Sequence, residues 1–303
     1  MKNIYLGLLC LLFAATPALS QKKKTKTTKS AYTKAYNKQA DENAKFLNKQ
    51  WWIGAKSGVN LSAPHVTAPY AILSPANYTL AKGTGKKYES FSQLGSLATV
   101  EITFYYRGIG FSFQPTYQHA VFSYSNEYEW AGSKDPTHQL TLRYDHEQKI
   151  DHFVFPLLVK YEFAGNKLRP YFQFGFYEAV LINATKSAKA SGIDLASGGT
   201  NELKDQPIVV GARDLFAKNH WGLIGGLGLN YKLGNVRLNL DVQYKYGQSN
   251  ISSAKNRNNN DLLGTGAFDT MDDLTMDNLN ISLGCLFPLR FLEDGFKSMN
   301  RNK

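Results

Sequence analysis

The chain has 303 residues, 35 Lys and Arg against 24 Asp and Glu, and two cysteines. Its mean hydropathy is −0.35, and past residue 20 no run approaches the roughly 20 apolar residues a spanning helix needs, which excludes a helical membrane protein. Two cysteines, one of them in an N-terminal leader, exclude a disulfide scaffold.

Residues 1–20 read as a secretory signal. Lys2 gives the charged start, Ile4 to Ala15 the apolar run, and Ala18-Leu19-Ser20 a small-x-small site before Gln21. Cys10 lies inside this run, and Leu9 before it is too large for a lipoprotein site. Residues 21–49 carry nine lysines against Asp41 and Glu42, a net +7 of the chain's +11. The basic character therefore belongs to a tail, not to the domain that follows. Lys22, Lys23, Lys24, Lys26 and Lys29 form a block expected to be an interaction arm in the periplasm or a solubilising linker. Secretion excludes nucleic acid as its partner. Anionic lipid heads, an acidic wall polymer or an acidic protein face remain, with about 1 kcal/mol per Lys near an anionic surface. Tyr32, Tyr36, Ala40, Ala44 and Leu47 suggest a short helix within 31–47.

Eight strands are expected over 50–61, 97–107, 109–123, 150–163, 170–182, 221–233, 236–247 and 279–289. The clearest pair is Trp221 to Leu233 and Val236 to Gly247, joined by Gly234-Asn235. There Leu227, Leu229 and Tyr231 alternate with Gly228, Asn230 and Lys232, and Leu238, Leu240 and Val242 with Arg237, Asn239 and Asp241. Strict period two over such length places lipid on one side and a polar interior on the other. Trp51, Ile53, Val59, Val100, Ile102, Phe104, Phe153, Phe155, Phe172, Phe174 and Phe176 are expected outside, and Cys285 with them. Tyr105, Tyr106, Tyr161, Phe163, Tyr171 and Tyr231 are expected to form a girdle beside the short turns. Connections alternate between short (108, 164–169, 234–235) and long (62–96, 124–149, 183–220, 248–278), with 140–144 extending the fourth strand. This is the asymmetry of short periplasmic turns and long extracellular loops. The expected fold is all-β: an eight-stranded antiparallel up-and-down transmembrane β-barrel over 50–290. A periplasmic C-terminal tail, 291–303, follows.

Several segments carry a resemblance. They are Ile150-Asp-His-Phe-Val-Phe-Pro-Leu-Leu-Val-Lys-Tyr-Glu-Phe163, Arg169-Pro-Tyr-Phe-Gln-Phe-Gly175 and Tyr244-Lys-Tyr-Gly-Gln-Ser-Asn-Ile251. Trp52 to Asn60 and Ile281 to Leu289 add to them. The chain resembles the PorT-type outer-membrane β-barrel proteins of Bacteroidota, small barrels of the OmpA/OmpX kind. The resemblance implies an outer-membrane barrel of eight strands, in a family that includes a type IX secretion component.

Inward charges expected in the lumen are Lys56, Glu101, Arg107, Lys160, Glu162, Arg237, Asp241 and Lys245. Such charges read as an ion path or as a network that fills the lumen. The second is favoured, since eight strands leave no open channel. Asp145-His146 and Asp151-His152 are candidate acid–base pairs near the rim. The run Asp269 to Asp277 reads as a solvated acidic loop, with Asp269, Asp272, Asp273 and Asp277 as its only conceivable metal ligands. No catalytic residue, cofactor or metal site is assigned. Aromatics recur in the long connections: Tyr70, Tyr78, Tyr88, Phe91, Tyr124, Tyr128, Trp130 and Phe216, with Ile72, Ile208, Val209, Val210 and Leu215. They read as a self-packed cap or as a docking surface. The expected role is non-enzymatic: an accessory or structural subunit of an envelope complex for secretion, outer-membrane assembly or nutrient uptake. Its partners would be outer-membrane lipid and other outer-membrane or periplasmic proteins. A small-solute pore and a lipid-modifying enzyme are the alternatives.

Overall fold

The computed structural model describes residues 50–72, 81–131, 137–163, 165, 167–197, 199–204 and 207–289. The signal, the lysine arm with Lys22, Lys23, Lys24, Lys26 and Lys29, the 31–47 segment, Tyr78 and the 291–303 tail lie outside the described residues.

The strands in chain order are β1 (Gln50–Ala68), β2 (Ala81–Tyr88), β3 (Leu94–Tyr106), β4 (Ile109–Phe113), β5 (Thr116–Ala131) and β6 (Gln139–Glu162). Then come β7 (Leu168–Asp194), β8 (Asn201–Lys204), β9 (Ile208–Gly211), β10 (Asn219–Leu233), β11 (Val236–Gly247) and β12 (Asp273–Pro288). A 3-10 turn at Arg213–Leu215 and the short helix α1 (Asp261–Gly266) lie in the long connections.

All pairings are antiparallel, and they close a ring. From β3 the wall runs through β1, β12, β11, β10, β7 and β6, and β4 and β5 both fill the gap between β6 and β3. Ile102 faces Phe113 and Thr99 faces Thr116. On the other side Phe113 faces Leu157 and Thr116 faces Val154. The register runs through unbroken, so β4 and β5 are one stave interrupted at Gln114-Pro115. Proline has no N–H for the ladder, which explains the break. Counted this way the ring has eight staves, while β2, β8 and β9 pair only with extensions of β5 and β7.

Short turns gather at one end. Arg107 and Gly108 both have positive φ, 52° and 82°, as a two-residue hairpin matched to strand twist requires. Gly234, at φ 62°, plays the corresponding part between β10 and β11. The walls alternate as the period-two pattern predicts. Along β11, Leu238, Leu240, Val242, Tyr244 and Tyr246 are exposed, and Arg237, Asn239, Asp241, Gln243 and Lys245 are buried. The outer surface of β4, β6 and β7 is rich in rings, with Phe111, Phe153, Phe155, Phe172, Phe174 and Phe176 all exposed. Lipid against such side chains contributes about 1.5–3 kcal/mol for each one covered. No helix among the described residues is long and apolar enough to cross a membrane, and a barrel crosses with strands.

Two expectations are corrected. Tyr106, Tyr161, Phe163 and Tyr231 lie outside near the short turns, but Tyr105 and Tyr171 are buried in the lumen. Gly228 makes room for the second: a Cβ there would strike the Tyr171 ring. Much of the long connections 62–96, 124–149 and 183–220 is also strand, whereas 248–278 is strand only from Asp273. β6 and β7 pair from Glu162 and Tyr171 up to Leu140 and Asp194, far above the apolar band. β5 follows β6 up to Ala131. Residues 140–144 do extend the expected fourth strand, here β6, and 124–131 and 183–194 are equally regular.

Candidate functional site

Two polar centres occupy the interior. The first lies in the lumen at mid-wall. Lys56 from β1 contacts Glu101 at 2.5 Å and Asp241 at 2.7 Å, and Lys160 from β6 contacts Glu101 at 2.6 Å. Thr103 Oγ1 donates to Glu101 at 2.6 Å, and Gln173 donates to Asp241. Two cations and two anions thus balance, with extra hydrogen bonds on the carboxylates, as buried charge requires. Towards the short turns, Arg237 donates to Glu162 at 3.1 Å and lies 4.0 Å from the Trp52 ring. Arg169 reaches the same carboxylate at 3.6 Å. Towards the long connections, Lys245 donates to Gln118 Oε1 at 2.7 Å.

Arg107 does not join the lumenal charges. It is exposed in the β3–β4 turn, 5.1 Å from the Tyr106 ring, because a two-residue turn takes its residues out of the pleat. Arg169 belongs to the set and escaped the sequence reading. The strand expected from Pro170 starts one residue too late to bring it into the alternation with Tyr171 and Gln173.

The second centre lies above the wall. The extended β5, β6 and β7 form a concave face lined by Phe122, Tyr124, Tyr128, Tyr144 and Ile150. The segments 208–216 and 251–276 fold into it, burying Val210, Leu215, Phe216, Leu263, Met271 and Leu274. Of the connection aromatics and aliphatics, Tyr124, Tyr128 and Phe216 are core, whereas Tyr70, Ile72, Phe91 and Val209 are exposed. At the heart of this cap, Lys186 from β7 pairs with Asp269, whose carboxylate also accepts from Tyr124 at 3.0 Å. Lys86 from β2 contacts Asp272 at 3.0 Å and Asp269 at 3.4 Å, and Tyr88 donates to Asp272 at 2.8 Å.

The acidic run 269–277 is therefore not a solvated loop. Asp269, Asp272 and Asp277 are buried, and Asp273 is held by Arg257 at 2.7 Å. Asp277 accepts from Tyr244 at 2.6 Å and meets His65 at 3.0 Å. Burial alone would raise the Asp269 carboxyl, but Lys186 and Lys86 hold it below the usual carboxylate range. Burial raises the Tyr88 hydroxyl, and Asp272 adds to that.

The two acid–histidine dipeptides are split by the pleat. Successive residues of a strand face opposite sides. Asp145 lies outside against Arg143 at 3.0 Å, while His146 is buried, 2.9 Å from Asn126 Oδ1 and stacked on Tyr124. Asp151 contacts His119 at 2.7 Å, whereas His152 faces His220 at 4.6 Å between ring centroids. Burial pushes His146 down to about 3, so it stays neutral at ordinary pH.

Solved structures similar to this chain are small and larger outer-membrane barrels. Neisserial surface protein A is 11% identical over 79% of this chain and 98% of that one, with a TM-score of 0.33. Ail of Yersinia pestis, solved with the heparin analogue sucrose octasulfate, is 11% identical over 78% and 99%, with a TM-score of 0.25. The translocator domain of the autotransporter NalP from Neisseria meningitidis is 10% identical over 85% and 96%, with a TM-score of 0.23. Among curated proteins none matches. The profile of the family described as outer membrane protein beta-barrel domain matches residues 37–253, well over half of the chain. With a closed antiparallel ring, an apolar outer band and a charged lumen, the chain belongs to that family of β-barrels in the Gram-negative outer membrane.

Proposed function

We propose that this protein is a non-enzymatic, non-conducting accessory subunit of an envelope complex, a PorT-type barrel serving type IX secretion, outer-membrane assembly or nutrient uptake. The observation that carries the reading is the filled lumen: Glu101, Lys160 and Asp241 are each 0% exposed. A barrel occupied by its own salt bridges has only its rims and outer surface to offer. On the extracellular side, Tyr70, Ile72, Phe91, Val209 and Leu262 are exposed, and interfaces are enriched in aromatic side chains. On the periplasmic side the lysines at 22, 23, 24, 26 and 29 supply an arm for an acidic face. The segments around Pro156 to Tyr161 and Tyr244 to Gly247 support the kinship with PorT-type barrels.

The test is purification of the tagged protein from native outer membranes in mild detergent, with mass spectrometry of what co-elutes. Stoichiometric recovery with a secretion, assembly or uptake complex is expected, and removal of 21–49 should weaken it without unfolding the barrel. Recovery as a lone monomer, or stable conductance in planar bilayers, would overturn the reading.

A further inference from the structure

Between the 3-10 turn, the residues leading into β10 and the segment at 253–256, the outer rim holds a polar recess of about 370 Å³. Arg213, Asp214 and Lys218 line one side, and Ser253 and Asn256 the other. Its frame is rigid. Leu181 N donates to Lys218 O at 2.8 Å, Ala217 N to Ile251 O at 2.8 Å, Ser253 N to Leu215 O at 2.8 Å, and Asn256 to Asp214 O at 3.1 Å. Arg213 and Lys218 are exposed, and neither is paired with an acid among the described residues. In the lumen and cap, by contrast, Lys56, Lys160, Arg169, Arg237, Lys186 and Lys86 each meet a carboxylate.

Its height is as informative as its charge. Lys218 directly precedes β10, where Asn219 faces Val180 and Trp221 faces Glu178. Trp221 and Val180 are exposed on the outer wall. At about 3.3 Å of rise per strand residue, the recess opens within about 10 Å of the last lipid-facing side chains. That is the headgroup level, where Trp and Tyr girdles sit.

We propose that this recess binds a phosphate monoester, with Arg213 and Lys218 as the charged ligands and the Ser253 hydroxyl as a third donor. A guanidinium matches two phosphate oxygens at once, and an ammonium adds a point charge. Two cations against Asp214 leave the recess net positive. The phosphate can arrive on an outer-leaflet glycolipid or on a soluble sugar phosphate. The inference is independent of the accessory-subunit reading.

The full-length protein in mild detergent is tested by native mass spectrometry against bis-phosphorylated lipid A, the same lipid dephosphorylated, and glucose 1-phosphate. Wild type is expected to retain the phosphorylated lipid. The R213Q/K218Q variant should weaken retention about tenfold for each cation removed. The R213K/K218R variant should preserve most of it, and Asp214→Asn should tighten it. Heat-modifiable migration confirms that each variant is folded. Retention of lipid A that glucose 1-phosphate does not displace assigns the site to the glycolipid. Equal binding of glucose 1-phosphate assigns it to soluble phosphate esters. Equal retention of the dephosphorylated lipid, or no loss in R213Q/K218Q, overturns the proposal.

Discussion

The lumen and the cap solve one problem in two settings. Each buries lysines against carboxylates: Lys56 and Lys160 on Glu101 and Asp241 in the lumen, Lys186 and Lys86 on Asp269 and Asp272 in the cap. They differ in what lies across the wall. Behind the lumenal charges the outward residues face lipid, so the outward positions follow an apolar rule, as exposed Val100, Ile102, Leu240 and Val242 show. Behind Lys186 the outward residues Thr185 and Ser187 face water, and no such rule binds them. The lumenal centre is also wholly strand-borne, whereas the cap centre takes its acids from a connection folded back onto the sheet. The lumen is therefore part of the wall, and the cap is a second unit resting on its extensions.

This difference is open to a direct challenge. Removing the charge with Glu101→Gln leaves Lys160 buried without its acid, since Glu101 is its carboxylate partner. Breaking a buried pair from one side costs about 3–5 kcal/mol. The expected result is a large drop in the urea midpoint of the whole barrel, read by heat-modifiable migration and by tryptophan fluorescence. E101Q/K160M should recover much of the loss, as removal of both partners usually does. A small effect of Glu101→Gln would mean that water reaches this level of the lumen.

The same contrast explains which parts were legible in the sequence. The wall was, because lipid outside forces the pattern: β10 and β11 match the expected segments to within a few residues at most. Seven of the eight lumenal charges read from alternation face inward, and Arg107 fails because it sits in the turn that ends the pattern. The extensions were not legible. Between Asn183 and Ala190, inward Ala184, Lys186 and Ala188 alternate with outward Thr185, Ser187 and Lys189, giving no contrast of hydropathy across the strand. Asp269 and Asp272 were unreadable as a buried centre because their partners, Lys186 and Lys86, lie 83 and 186 residues away in sequence. The Asp145-His146 pairing misled because adjacency along a strand is separation across it.

A smaller effect should separate the cap from the wall by pH. His146 is held at about 3 in the closed cap, first by burial and then by the charges of Lys186 and Lys86, with Asp269 opposing them. In an opened cap it returns towards 6.5. The open form thus binds more protons between about 3 and 6.5, so cap stability is fully present above that window and falls as pH drops through it. The slope approaches about 1.4 kcal/mol per pH unit, or roughly 2 kcal/mol between pH 6.5 and 5. Asp269, with its folded value lowered, adds a loss only below about pH 4, where the free carboxyl begins to protonate. Hydrogen exchange at 261–272, corrected for intrinsic rate, should speed up at pH 5 while the wall amides stay protected. His146→Gln should flatten that slope. An unchanged slope, or wall amides that open with the cap, would make the two regions one cooperative unit.

The smallest effect concerns Arg107, the residue that alternation assigned to the lumen and the structure assigns to the turn. Arg107→Asn removes a stacking contact with Tyr106 at 5.1 Å, which at an exposed site is worth about 0.5–1 kcal/mol. It also places Asn at φ 52°, a backbone region that Asn enters more easily than Arg. The two contributions oppose each other, and the net change should stay below about 1 kcal/mol in either direction. The urea midpoint of Arg107→Asn should therefore match wild type, while Glu101→Gln falls far below it. A loss for Arg107→Asn comparable to that of Glu101→Gln would place the guanidinium in the lumenal network after all. The boundary between wall and turn would then lie one residue later than φ at Arg107 indicates.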